Sequence, residues 1–409
     1  MTSPGNPAQR QFRRWLSSPP RPHGAVDPER TVSNLELFYD LVYVAVIGAA
    51  SARLATDVSV RGFVEFAILF AMIWLAWLNG SMYVELHGRE DGRTRLLVFL
   101  QMGILALLAV FTTKAASSTG TQFAIVYAVF LAVMTWQWRA VRELDRIERP
   151  QYMRITGYYV AGTLVSTLAI LASAALPDEA RIVVWAIYGI AWVVGLFLAG
   201  RARGGGISQA IVPTESLVER FGAFTIIVLG EVILGVVAGL RVADPDALTI
   251  VTGLLALVIG LGLWWIYFDL VGDRLPRAGR GTIASWLLSH LPITLAITAT
   301  GAAIVSLVEH AHDPATPAAT AWLLSGSVAL GLLALILTAR SLEDAIRLAS
   351  VYRPLTAALT VGAVVSILAG LLTPAPWVLA LLLVGILSAL WFFAAAWLIR
   401  AGEWGDGIA

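Results

Sequence analysis

The sequence contains no cysteine and little charge. Of its 409 residues, 13% are Asp, Glu, Lys or Arg, whereas a soluble globular protein has roughly 25% charged residues. The absence of cysteine excludes disulfides, thiolate nucleophiles, cysteine-ligated zinc and iron–sulfur clusters. Lysine is nearly absent too, since Lys114 stands alone against 27 arginines. Together with 58% hydrophobic residues, the low charge excludes a soluble enzyme and predicts an integral membrane protein.

Apolar residues are grouped in twelve runs, each long enough to cross a bilayer as a helix, which takes about 17–25 residues. Helices are expected rather than barrel strands because the runs are continuously apolar instead of alternating. The fold class is therefore an all-α polytopic membrane protein with about twelve transmembrane helices. The runs cover residues 35–54, 62–84, 96–114, 122–138, 155–176, 182–200, 216–240, 248–271, 283–308, 318–338, 355–372 and 377–399.

The arginines between the runs give the expected orientation. Basic residues near span ends favour the cytoplasmic side, and in this sequence most loop arginines lie on the same side as the arginine-containing N-terminal segment. The opposite side receives only Arg53, Arg61, Lys114, Arg181 and Arg241. We therefore expect a multi-pass protein of the bacterial cytoplasmic (inner) membrane with both termini in the cytoplasm.

Short motifs recur halfway along the chain. Glu36-Leu37-Phe38 opens the first run and Glu219-Arg220-Phe221 opens the seventh, while related aromatic and acidic residues end the second and eighth runs. Because each half has an even number of runs, the sequence predicts two parallel six-helix repeats. Convergent helix-end chemistry is the alternative. The expected organisation is a disordered basic cytoplasmic tail (1–34), the first half (35–200), a glycine-rich cytoplasmic linker (201–214), the second half (215–400) and a short C-terminal tail (401–409).

Two acids within the runs are candidates for proton or cation coupling. Glu231 lies eleven residues beyond Arg220, ~16 Å along a helix, which places it near the middle of the bilayer without an arginine at that depth. A charged side chain there costs at least roughly 2.5–3.5 kcal/mol, so it needs a partner, a proton or water. Asp40 lies between Tyr39 and Tyr43 in the first run. The alternative for Glu231 is a protonated side chain that hydrogen-bonds a neighbouring helix and stabilises packing.

Other polar residues concentrate towards the cytoplasmic ends of the runs. We expect them to line an inward-facing vestibule or a substrate path. The alternative is that the acids at helix starts cap exposed amide groups while arginines neutralise their charge. No metal site, cofactor or catalytic group is expected. The vestibule candidates are Glu36, Tyr39, Tyr43, Gln101, Glu219, Arg220, Asp269 and His290.

Three segments resemble the signature segments of the bacterial low temperature requirement A family. They are ELFYDLVYV at Glu36–Val44, ERFGAFTIIVLGE at Glu219–Glu231, and SHLP at Ser289–Pro292. The resemblance covers roughly Ser33 to Arg400. It implies a multi-span membrane protein from a family named for a requirement for growth in the cold. It does not imply a particular substrate or reaction.

The function expected from these features is a proton- or cation-coupled secondary transporter of a small solute. One alternative is an intramembrane enzyme that processes a lipid or isoprenoid, with Asp40, Glu231 and His290 as acid–base groups. Another is a sensor or scaffold involved in growth in the cold. An enzyme is not the expected class. The expected partners are the lipid bilayer, an unknown small solute and protons, without nucleic acid, and the sequence leaves the oligomeric state open.

Overall fold

A computed structural model describes residues 11–12, 15–16, 18–25, 30–202, 211, 213–243 and 245–402. In this part of the chain, twelve helices are long and apolar enough to cross a membrane, which confirms the predicted class of a polytopic helical membrane protein. They are α1 (Asn34–Thr56), α2 (Val60–His87), α3 (Gly92–Thr112), α4 (Gly120–Glu148), α5 (Met153–Ser173), α6 (Asp178–Arg201), α7 (Glu215–Val242), α8 (Ala247–Tyr267), α9 (Thr282–Glu309), α10 (Ala318–Ser341), α11 (Ala349–Leu371) and α12 (Pro376–Arg400).

The helix boundaries follow the apolar runs closely except at the end of α4. This helix continues well past Trp138 to Glu148, although the apolar run ends at Trp138. Charged residues end a hydrophobic run, but arginine and glutamate remain good helix formers. In the extension, the Arg146 side chain donates to the Glu143 carboxylate at 3.0 Å, a pairing that supports a solvated helix face.

Side-chain caps fix the starts of several helices, including α3, α7 and α8. Asp91 accepts from the backbone N–H of Thr94 before α3, and Thr214 accepts from that of Leu217 before α7. Asp246 accepts from the backbone N–H of Thr249 at 2.9 Å before α8. This hydrogen bond, with smaller contributions that include nearby His312, lowers the pKa of Asp246 to about 2. Each cap satisfies one of the amide groups that the first helical turn leaves without a partner.

The chain divides into two compact units. The first comprises Met1–Val46 and Met72–Val212, and the second comprises Ile47–Ala71 and Pro213–Ala409. Residues 47–71, which sequence reasoning assigns to the first six-helix half, are thus grouped with the second unit. Most of the predicted linker (203–210 and 212), residues 403–409 of the C-terminal tail and residues 1–10 of the N-terminal tail lie outside the described residues.

In the second unit, helices α7 to α12 pack in a closed cyclic order. Helix α7 contacts α9, α9 contacts α10, α10 contacts α11, α11 contacts α12, α12 contacts α8, and α8 contacts α7. Helix α9 is the most enclosed of the twelve, with 78% of its most apolar segment buried. Helix α8 ends in a π-helical turn, Phe268–Gly272, a local distortion that is frequent at functional sites.

In the first unit, α4 packs against α3 and α5, and α5 packs against α6. Part of the segment predicted to be a disordered tail is also anchored in this unit. Arg21 donates to the backbone oxygen of Glu85 at 2.7 Å, and the ring Nδ1 of His23 lies 2.9 Å from a carboxylate oxygen of Asp145. His87 lies against His23, with ring centres 4.4 Å apart. Sequence reasoning missed these contacts because the segment has no apolar run.

Candidate functional site

The candidate site of the second unit centres on Glu231 in the middle part of α7. Its side chain is only 4% exposed. Its Oε1 atom accepts no hydrogen bond from the residues that the structure describes. The Ser51 hydroxyl lies close to the carboxyl group. Oε1 also lies 3.2 Å from the position that a Cβ on Gly48 would occupy, so the missing side chain of Gly48 leaves room beside the carboxyl.

Glycines allow the helices around Glu231 to approach closely. A Cβ added to Gly301 on α9 would stand 2.5 Å from the carbonyl oxygen of Glu231, and one added to Gly235 would stand 2.2 Å from that of Gly301. Distances below 3.0 Å are not tolerated, so both positions need glycine for the backbones to meet. The crossing of α7 and α9 therefore sets the position of the Glu231 backbone. The sequence motif that contains Glu231 gives no sign that α9 lies against it.

A second polar group in this unit is built around His290 on α9. Its Nδ1 lies 2.7 Å from the carbonyl oxygen of Trp286, and its Nε2 lies 3.1 Å from the hydroxyl of Tyr267. Because a carbonyl only accepts, Nδ1 is the donor, and in the neutral ring Nε2 accepts from Tyr267. Tyr267 also contacts the Thr225 side chain on α7. Thr225 in turn donates to the carbonyl oxygen of Phe221 at 2.9 Å, so both ends of this chain stop at backbone carbonyls and its hydrogen bonds join α7, α8 and α9.

The other candidates in the second unit have different surroundings. Asp269, in the π-helical turn, accepts from the indole N–H of Trp391 at 2.7 Å. Trp391 in turn stacks on Trp265 with ring centres 4.7 Å apart. Arg220 is completely buried, whereas the neighbouring Glu219 is exposed. These two neighbouring residues of the motif thus lie in opposite environments, one buried and one exposed, so they do not line the same surface.

The first unit brings Tyr39, Asp40 and Tyr43 together at the start of α1. The two tyrosine hydroxyls are 3.0 Å apart, and Asp40 accepts from the indole N–H of Trp77 at 2.8 Å. All three side chains are at most 2% exposed. The indole nitrogen of Trp77 is thus a specific partner of Asp40. A tryptophan in an apolar run gives no sign of which acid its N–H will meet.

Gln101 lies in the same unit and close to Tyr39. Its amide nitrogen donates to the side-chain oxygen of Gln137 at 3.2 Å. A Cβ added to Gly80 would stand 2.2 Å from the Tyr39 hydroxyl and 3.2 Å from Oε1 of Gln101. The missing side chain of Gly80 on α2 therefore leaves room for both polar groups. Two of the predicted vestibule residues, Tyr39 and Gln101, thus meet at a buried and closely packed part of α2.

Glu36 belongs to a separate network at the end of the first unit's helices. Arg30 donates to both Glu36 oxygens, at 2.7 and 2.8 Å, and also to Glu85. Ser33 donates to Glu36 at 3.0 Å. Arg30 was assigned to the tail by sequence reasoning, although an arginine shortly before an acidic helix start is a signal that could have indicated this pairing. Glu36 is thus neutralised by a tail arginine.

We find no candidate metal site among the residues that the structure describes. Among those residues, no group of three or more His, Asp and Glu side chains is arranged to hold an ion. The carboxyl of Glu231 and the imidazole of His290 are instead groups that can bind and release a proton, and the neighbouring hydroxyls supply hydrogen bonds.

Comparisons with known proteins agree with the three sequence segments. The family profile of the bacterial low temperature requirement A protein matches residues 31–386. An uncharacterized protein of Rhizobium meliloti (strain 1021) is 27% identical over 273 residues, which cover 63% of this chain and 65% of the relative. The chain thus spans just under two thirds of that relative's length. No solved structure matches. The chain belongs to the bacterial low temperature requirement A family.

Proposed function

We propose that this protein is a proton-coupled secondary transporter of a small solute and that Glu231 is its proton-binding group. The observation that carries the proposal is the environment of this carboxyl. It is buried in the middle part of α7, and one of its oxygens receives no hydrogen bond from the described residues. A carboxyl in this setting can hold a proton while it is enclosed and release it when water reaches it.

Several other buried acids have a charged partner or an N–H donor. Arg30 pairs with Glu36 and Glu85, and the Trp77 indole donates to Asp40. His23 lies against Asp145. The Ser51 hydroxyl near Glu231 is a weaker, uncharged partner that can serve either form of the carboxyl, since a hydroxyl both donates and accepts. This contrast favours Glu231 as the coupling group over the acids that pair with Arg30 or His23, while the Trp77 indole holds Asp40 against α2.

An uptake experiment tests the proposal. Proteoliposomes that contain the full chain are incubated with a small-molecule extract of bacterial cells, with and without an inward proton gradient, and their contents are identified by mass spectrometry. We expect one or more solutes to accumulate only with the gradient. The Glu231→Gln variant should lose this accumulation, because its amide keeps the size of the side chain but cannot bind and release a proton.

The matched control is Asp313→Asn, which removes an exposed acid of the same unit and should accumulate solute as the natural chain does. Accumulation that survives Glu231→Gln unchanged would show that the site is misassigned. A failure of the natural chain to accumulate any solute would contradict the transporter function. Chemically modified lipid in the proteoliposomes would instead favour the intramembrane enzyme.

The proposal includes a cytoplasmic location of both termini and two parallel six-helix repeats in a bacterial inner membrane. The distribution of loop arginines supports the orientation, and the recurring motifs support the repeats. The absence of cysteine makes single-cysteine labelling direct. A membrane-impermeant maleimide should label Ser117→Cys in intact cells and Ser350→Cys only after lysis, both positions being exposed. The reverse pattern would place the termini outside.

A further inference from the structure

A groove in the first unit runs between α5 and α6. It has a volume of about 740 Å³, and its walls are mostly aliphatic and aromatic. The only side-chain hydrogen bond across it joins the Trp192 indole N–H to the Ser166 hydroxyl, at 2.9 Å, among the bonds of the described residues. Small residues line much of it, so the two helices leave space instead of interdigitating. The small residues are Ala161, Gly162, Ala169, Ala191, Gly195 and Ala199.

The two helices that form the groove are the least enclosed of the twelve. Within their most apolar segments, 22% of the residues are buried in α5 and 17% in α6. Large apolar side chains such as Val165 and Ile187 line the groove and are more than half exposed. In a bilayer, an exposed apolar wall contacts lipid chains at little cost. The groove is therefore suited to an acyl chain.

Positive charge lies at one end of the groove only. Arg154 lines that end, where its guanidinium donates to the Tyr158 hydroxyl at 3.2 Å. Nε of Arg142 lies 3.6 Å from the position of a Cβ on Gly157, one turn from Arg154. Both arginines are exposed, and neither takes part in an ion pair among the described residues. Arginine and tyrosine at the end of an apolar groove match the chemistry of a lipid phosphate.

We propose that this groove binds an anionic phospholipid, with an acyl chain between α5 and α6 and the head-group phosphate at Arg154 and Arg142. The charge asymmetry selects this occupant, because an apolar helix of a second copy would leave both guanidinium groups without an anion. Basic sites between transmembrane helices on the cytoplasmic side are a recognised form of lipid recognition, and the same arginines indicate that side by the loop-charge rule.

Native mass spectrometry of the purified full chain tests the proposal with palmitoyl-oleoyl phosphatidylglycerol and the corresponding phosphatidylcholine as probes. We expect retained phosphatidylglycerol in excess of phosphatidylcholine. Gly195→Leu should abolish retention of both lipids, because its side chain would fill the groove. Position 195 has no neighbouring atom within 4 Å of an added Cβ, so the larger side chain starts in open space.

The matched control is Gly385→Leu on α12, another exposed glycine with open space, and it should retain lipid as the natural chain does. Arg154→Gln should lower the affinity for phosphatidylglycerol about fivefold and leave that for phosphatidylcholine unchanged. Unchanged lipid retention in Gly195→Leu would overturn the proposal. Loss of a dimer instead of lipid in that variant would also overturn it and assign the groove to a second copy of the chain.

Discussion

The backbone of Gly301 lies directly against the backbone of Glu231. A Cβ added to Gly301 would stand 2.5 Å from the Glu231 carbonyl oxygen, inside the distance that two such atoms tolerate. The deepest acid of α7 is therefore positioned by a glycine of α9. Any side chain at position 301 has to push the two helices apart, and the same displacement shifts the backbone that holds the Glu231 carboxyl group.

Replacement of Gly301 should destabilise the second unit. We expect Gly301→Ala to lower the free energy of unfolding by about 1–3 kcal/mol, the usual cost of overpacking, when thermal unfolding is followed by circular dichroism in detergent. The control is Gly230→Ala beside Glu231, where an added Cβ has no neighbour within 4 Å. It should not destabilise, because alanine is the better helix former. Equal stability of both variants would contradict the close crossing.

The contact between Gly80 and Tyr39 predicts a measurable coupling in the first unit. Gly80→Ala would place a Cβ 2.2 Å from the Tyr39 hydroxyl, and we expect a loss of about 1–3 kcal/mol in the free energy of unfolding. Tyr39→Phe removes the hydroxyl and its bond to Tyr43, so it is destabilising alone. The double variant should lose less stability than the sum of the losses in the two single variants. Strict additivity in the thermal unfolding cycle would argue against the contact.

Arg30 should matter more for stability than its place in a predicted tail suggests. It is 13% exposed and pairs with Glu36 and Glu85, each 6% exposed. Arg30→Gln leaves two enclosed acids without their cation, and we expect a loss of about 3 kcal/mol in the free energy of unfolding. The control is Arg146→Gln, which breaks a pair that is 65% and 64% exposed and should cost at most about 1 kcal/mol. Similar unfolding curves for the two variants would contradict this difference.

The Asp246 cap predicts a pH dependence of stability at the start of α8. The backbone N–H of Thr249 lowers the pKa of Asp246 to about 2, below its ordinary value near 3.9. The cap therefore contributes fully above about pH 4, and its contribution disappears as the pH falls towards 2. Asp246→Asn keeps an oxygen acceptor but does not titrate.

The natural chain should lose more thermal stability between pH 5 and pH 2 than the Asp246→Asn variant does. The melting temperature of both proteins, measured across this range in the same detergent, checks the prediction. Parallel pH profiles would show that the protonation of Asp246 does not influence the folded state. The contact of His312 with Asp246, at 2.9 Å, joins two exposed groups and adds little.

Sequence reasoning singled out acids inside the apolar runs as candidates but could not identify their partners. Glu231 stood out because a charged group in an apolar run is rare and costly. The Trp77 donor to Asp40 and the Arg30 partner of Glu36 were missed, because each joins residues from different helices or from a segment with no periodic pattern. Which side chains meet depends on helix rotation and crossing, and neither is encoded in hydropathy.

By itself, the sequence determined that this chain is a helical membrane protein with twelve apolar spans, because the free energy of placing apolar runs in a bilayer depends on composition and length. It also determined which acids are exceptional. Only the tertiary structure decided that Gly48, Ser51 and Gly301 surround Glu231, and that α5 and α6 leave a groove between them. Both depend on how closely two helices pack, because a missing side chain at a crossing decides whether a space is filled.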